Sequence, residues 1–218
     1  MDDIVSEFNK SLIIDSVDVL SDYIDLGISS ALELGGNDIP IVKTIIGLGK
    51  IAIGIRERNL IKNLISFIKS LNSGNIDKEK LKEHQLKLKE DQKLAKEELG
   101  RILIILDKTI DDKKAIILGK LYKAYVNTRI DWDMFIEFSE ITDRMYVNDL
   151  EILKSIHEGT MKDAVNKENM YRIDRLNSLG IVGIKPQIFQ QANGDKEDTY
   201  IMTNYIGKKY CNIIFENN

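Results

Sequence analysis

A single cysteine, Cys211, excludes an intramolecular disulfide and any zinc site built on paired thiolates. Only two histidines occur, His84 and His157, and neither has a second histidine or the cysteine at metal-ligand spacing. Both are expected at the surface. Two prolines in 218 residues argue against a turn-rich β protein, and abundant Leu, Ile, Lys and Glu favour long helices. Thirty-one basic side chains face thirty-five acidic ones, so the net charge of −4 offers no bulk attraction to a polyanion. Any contact with nucleic acid or lipid has to come from a local patch. The start, MDDIVSEFNK, is acidic where a secretory signal would be basic and then apolar, so no cleavable targeting peptide is expected. With a lone thiol, a reducing interior follows, cytoplasmic or at most peripheral at a membrane.

What the chain does have is apolar residues at helical spacing, together with enough hydrophobic content (43%) to bury a core. Residues 3–34 carry Ile4, Phe8, Leu12, Val17, Leu20, Ile24 and Ile28 at intervals of threes and fours. Gly35-Gly36-Asn37-Asp38 interrupts them, and Pro40 suits the first turn of a new helix. A charged segment, 77–98, reads as one solvated helix or two short ones. Leu99–Leu106 is strongly apolar, Asp111 or Asp112 can cap the next helix, and Asp131 opens another that bends near Val147-Asn148.

The segment 39–71 is the least polar of the chain, and it contains Gly47-Leu-Gly-Lys-Ile-Ala52, which matches the dinucleotide pattern G-x-G-x-x-A. That pattern acts only between a strand and a helix, with an acidic residue about 20 positions on, and here Asp77 and Glu79 lie too far away. Wound at 3.6 residues per turn, Lys43, Gly47, Lys50 and Gly54 share one narrow face, opposite Ile41, Ile45, Leu48, Ala52 and Ile55. An apolar helix or hairpin is therefore expected over 39–71, continuing into basic amphipathic sequence. Its candidate contact surface for a partner, a second copy or an anionic membrane comprises Lys43, Gly47, Gly49, Lys50, Gly54, Arg56, Arg58 and Lys62.

The last sixty residues change pattern. Met170, Ile173, Leu176 and Leu179 follow a helix face that Gly180 can stop, and IVGIKPQIF reads as extended. Asn193-Gly194 is a hairpin signal before TYIM, and Thr203 or Asn204 can cap a closing helix. Helix, strand, turn, strand and helix resemble the end of a winged helix-turn-helix domain. The resemblance rests on Arg175, Leu176, Leu179, Gly180 and Ile181, then Tyr200, Met202, Thr203, Gly207 and Lys208. It implies a recognition helix and wing, so Lys167, Asn169, Arg172, Arg175, Lys185 and Lys196 are the candidate DNA or protein-docking residues. Residues 167–218 nevertheless hold seven basic side chains against six acidic ones, a weak footprint for DNA.

The expected fold is therefore mainly α: a multi-helix bundle over 1–160, then a small winged-helix-like α+β module over 161–218. No catalytic triad, metal cluster or cofactor motif can be assembled. Asp133, Glu137 and Glu140 share a helix face that reads as solvated, and Cys211 lies in a packed helix, so no cofactor and no small-molecule substrate are expected. In element order, and in the stretches GLGKIAIGIRERNLIKNLISFIKSL and LNSLGI, the chain resembles the bacterial abortive-infection alpha proteins and other helical proteins of low-GC bacteria and their phages. That resemblance implies a non-enzymatic effector of host–phage conflict, working by protein binding, self-association or membrane perturbation. A winged-helix transcriptional regulator that binds DNA is the alternative.

Overall fold

The computed structural model describes residues 2–13, 39–48, 54–74, 76–161, 167–189 and 196–216. Among these residues the chain forms ten α-helices and one two-stranded antiparallel sheet, a helical bundle followed by a small α+β module. It divides into two compact units, Met1–Ile136 and Glu137–Asn217.

The first unit contains α1 (Asp2–Ser11), α2 (Pro40–Leu48), α3 (Ile55–Asn72), α4 (Lys78–Glu90), α5 (Gln92–Lys108) and α6 (Asp112–Val126). Its core is built from Phe8, Ile41, Leu64, Phe67, Ile68, Leu99, Leu106, Leu121 and Tyr122, all nearly or wholly removed from water. The closest packing is between α3 and α6, where Gly119 lets the backbones meet. A Cβ there would lie 2.6 Å from the Phe67 carbonyl oxygen and 2.7 Å from Ser70 Cβ. Ser70 Oγ donates to the Ile116 carbonyl at 2.7 Å, and Lys123 Nζ donates to that of Ser73 at 2.6 Å. Phe67 bridges the aromatic core, with ring centroids 5.9 Å from Phe8 and 5.7 Å from Tyr122.

Local signals place several helix ends. Asp111 caps α6 by accepting from Lys113 N–H, and Asp131 accepts from Met134 N–H at 2.8 Å at the start of α7 (Trp132–Arg144). Pro40 begins α2, and residues 40–48, Gly47 included, are helical, so the strand that a dinucleotide loop requires is not there. The charged segment 77–98 breaks at Asp91, which accepts from Lys93 N–H and Leu94 N–H as the cap of α5. Its second half is thus one helix with the apolar Leu99–Leu106.

The stretch 39–71 departs from its helical wheel. Gly54 is extended, with φ −70° and ψ 175°, and α3 starts anew at Ile55. Ile55, expected on the apolar face, is 90% exposed because the helical phase does not carry through Gly54. Gly49, Lys50 and Ala52 lie outside the described residues, as do residues 14–34 of the expected first helical stretch, the Gly35-Gly36-Asn37-Asp38 break and the Asn193-Gly194 hairpin signal. Among the described residues no helix is long and apolar enough to cross a membrane.

The second unit begins within α7 and continues through a 3₁₀ turn (Val147–Asp149), α8 (Leu150–His157), α9 (Lys167–Ser178), β1 (Val182–Phe189), β2 (Lys196–Thr203) and α10 (Tyr205–Ile214). The chain was expected to divide at 160, but α8 packs with β2, α9 and α10 and so belongs to this unit. Its Ile152, Leu153 and Ile156 are buried there, which outweighs the break at Gly159-Thr160. The strands pair in the register Val182↔Thr203 to Phe189↔Lys196, so β2 starts three residues before TYIM. Gly180 stops α9 with φ +75°, as its placement after Leu179 predicts. Asn204, not Thr203, caps α10 by accepting from Gly207 N–H at 2.8 Å. Phe138 meets Tyr210 edge-on at 5.3 Å, and the Tyr210 and Thr142 hydroxyls share a hydrogen bond of 2.9 Å.

Candidate interaction surface and buried polar clusters

The sequence-derived contact surface of 39–71 is only partly brought together. Lys43 is exposed on α2, whose opposite side buries Ile41, Val42 and Ile45. Gly54, Arg56 and Arg58 are exposed at the start of α3. This start lies beside the α5–α6 connection. Arg56 binds Asp107 through Nε (2.9 Å to Oδ1) and through Nη2, and Lys62 Nζ lies 2.9 Å from Asp112. Between those pairs, Asn59 and Asn63 both donate to the Thr109 carbonyl, at 2.6 and 2.7 Å, and Asn63 also reaches that of Leu106 at 2.9 Å. The asparagines satisfy carbonyls that the end of α5 leaves open. The Arg56 guanidinium, hydrogen-bonded to Asp107, holds that carboxyl below its ordinary value.

Two isoleucines stand at this end of the unit, Ile55 before Arg56 and Ile110 after Thr109, each 90% exposed. Around them the charges are of both signs: Arg56, Arg58 and Lys62 against Glu57, Asp107 and Asp112. Ile110 carried no signal in the sequence, because a lone apolar residue between Thr109 and Asp111 has no periodicity.

The candidates of the C-terminal module meet a different fate. Arg172 and Arg175 turn to Asp149, which is 1% exposed. Arg172 Nε donates to Oδ1 at 2.9 Å, and Arg175 donates from Nε to Oδ2 at 2.9 Å and from Nη2 to Oδ1 at 2.7 Å. Arg172 Nη2 also donates to the Asn148 carbonyl. Arg175 lies between two rings, its Cζ 5.2 Å from the centroid of Tyr146 and 4.9 Å from that of Tyr171. Both guanidinium groups are thus committed to holding α9 against the 3₁₀ turn. Asn169 is half-buried, Lys185 is exposed on β1, and Lys167 and Lys196 open α9 and β2.

One cluster has no counterpart in the sequence reading. His84, expected at the surface, is half-buried, with Nε2 3.0 Å from both Glu98 Oε2 and the Tyr122 hydroxyl. The Tyr125 hydroxyl donates to Glu98 Oε1 at 2.7 Å. Burial first, and then Glu98, raise the hydroxyl pKa of Tyr122 and Tyr125, so both stay protonated. These groups can exchange hydrogen bonds, with Glu98 3% exposed and Tyr122 fully buried beneath the half-buried His84 and Tyr125. The cluster joins α4, α5 and α6 as a structural tie. Among the described residues no group of three His, Cys, Asp or Glu could hold a metal ion.

No protein-family model, curated protein or solved structure matches this chain.

Proposed function

We propose that this chain is a non-enzymatic interaction protein that self-associates through the end of its first unit. The observation that carries this reading is the pair Ile55 and Ile110, each 90% exposed, at the junction of α3 with the α5–α6 connection. A buried Ile is worth roughly 1.5–3 kcal/mol relative to an exposed one, so two at one site are a driving force for association. The mixed charges around them favour a second copy over an anionic membrane. Arg56 and Lys62 are already neutralised by Asp107 and Asp112, and a rim of both signs can complement itself across a two-fold axis. In the host–phage setting that the abortive-infection resemblance implies, such association would be the effector step.

The winged-helix-like module fits protein docking better than DNA. Its two helix arginines are engaged by Asp149, and residues 167–218 carry a net charge of only +1.

Light scattering over a concentration series tests the reading. The parent chain should show a concentration-dependent mass above 24.9 kDa, and Ile55→Glu plus Ile110→Glu should return it to a monomer with an unchanged melting temperature. A parent chain that stays monomeric at every concentration overturns it. Sedimentation with anionic vesicles instead of self-association would replace it with membrane contact.

A further inference from the structure

Ile55 and Ile110, the pair proposed to drive self-association, are neighbours. Asn59, one turn after Ile55 on α3, donates to the carbonyl of Thr109, the residue before Ile110, at 2.6 Å. The charges around them divide into two kinds. Arg56 pairs with Asp107 and Lys62 with Asp112 inside the chain. Arg58 and Asp111 make no ion pair among the described residues.

The two unpaired charges stand beside the two isoleucines. Arg58 is exposed three residues after Ile55, on the same side of α3. Asp111 follows Ile110 directly and is half-buried. Its Oδ1 accepts from Lys113 N–H at 2.9 Å as the cap of α6, and no described residue engages Oδ2. Each isoleucine thus carries one charge that the fold leaves unanswered, and the two charges are of opposite sign.

A two-fold axis makes this arrangement self-complementary, because residue i of one copy then meets residue j of the other, and j meets i. With Ile55 of one copy on Ile110 of the next, Arg58 comes beside Asp111, and the same pair recurs across the axis. Seating each isoleucine on its own counterpart would instead set Arg58 against Arg58 and Asp111 against Asp111, which like-charge repulsion disfavours. An anionic membrane would attract Arg58 but repel Asp111. We infer, granting the self-association proposed above, that the second copy docks in the crossed seating and that Arg58 and Asp111 select it.

Charge reversal followed by mixing is the test, read by sedimentation equilibrium of the full chain. Arg58→Glu alone should weaken dimerisation about tenfold or more, since both crossed pairs become repulsive. Asp111→Lys alone should weaken it alike, with a thermal melt reporting separately the loss of the α6 cap. An equimolar mixture of the two variants should associate within about threefold of the parent chain, because the two reversed charges then face each other and so do the two unchanged ones. If Asp111→Lys does not fold, Arg58→Gln and Asp111→Asn, which keeps a capping side chain, form a double-mutant cycle. Together they should weaken association no more than either does alone. A mixture no tighter than the separate variants, or additive losses in the cycle, overturns the crossed seating and leaves self-association standing. A parent chain that stays monomeric overturns self-association itself, and the seating with it.

Discussion

Arg175 grips Asp149 through two parallel hydrogen bonds, Nε to Oδ2 at 2.9 Å and Nη2 to Oδ1 at 2.7 Å, although the two residues are 26 positions apart. The fork geometry matches a carboxylate in a way that a lysine cannot. Arg175→Lys should therefore lower stability by about 1 kcal/mol. Arg172→Ala plus Arg175→Ala strands a buried carboxylate and should lower it by about 2–4 kcal/mol. That is somewhat below the figure for fully buried pairs, because the Arg175 side chain is 43% exposed. Urea denaturation measures both. Any loss of DNA binding in the double variant counts as evidence for a nucleic-acid site only after its fold has been checked. An unchanged midpoint would mean that the pair does not hold the helix.

Three helical glycines should respond to alanine in opposite directions. At Gly207 an added Cβ would lie 1.8 Å from the Ile181 carbonyl oxygen, which is backbone and has little freedom to retreat. Gly207→Ala should lower stability by about 3 kcal/mol or more. Gly119→Ala, facing Phe67 O and Ser70 Cβ, should lower it by about 1–3 kcal/mol. Gly100, inside α5, has nothing within 4 Å of the added methyl, so Gly100→Ala should raise stability by about 0.5–1 kcal/mol through helix propensity alone. Thermal melts of the three variants check the order.

Features fixed by neighbouring residues were legible in the sequence. Pro40, Asp111 and Asp131 start their helices, and Gly180 stops α9, because caps and left-handed stops depend on a few adjacent dihedrals. Asp91 is the same kind of cap, yet it is hidden between Glu90 and Gln92 in a charge run that carries no apolar phase. The fold class was legible from periodicity, but the unit boundary was not. The Gly159-Thr160 break is local, whereas the burial of Ile152, Leu153 and Ile156 depends on elements further along the chain. The arginine candidates show the limit most clearly. Arg172 and Arg175 look like a recognition face until Asp149 is brought to them, and no spacing in the sequence announces that meeting.

Glu98 should be the residue on which the α4–α5–α6 tie depends. It is 3% exposed and accepts from Tyr125, with His84 Nε2 at 3.0 Å. Glu98→Ala leaves the Tyr125 hydroxyl and the His84 nitrogen without that partner and opens a cavity, and should lower stability by about 2–4 kcal/mol. Glu98→Gln keeps the shape and an acceptor, and should lose less than half as much. Guanidinium unfolding followed by circular dichroism separates the two. Equal losses would show that charge, not hydrogen bonding, is what Glu98 supplies.

Alkaline pH should weaken the fold through groups that are held neutral inside it. Burial pushes the Cys211 thiol from its ordinary 9.0 up to about 12. It likewise raises the Tyr210 hydroxyl, with the Thr142 hydrogen bond pulling the other way. Tyr122 and Tyr125 are raised for the same leading reason, with Glu98 adding to it. In the unfolded chain these groups ionise near 9 to 10, so above that range the unfolded state binds fewer protons than the folded one. The stabilisation they provide is complete below the unfolded values and is lost as pH rises through the folded ones. The melting temperature should hold to about pH 8 and fall from about 9 towards 12. Cys211 gives an independent readout, because at pH 8 it is both buried and protonated. Ellman's reagent should leave the native chain untouched over minutes and titrate one thiol after guanidinium is added. Rapid reaction with the folded protein would show that α10 opens far more readily than its packing implies.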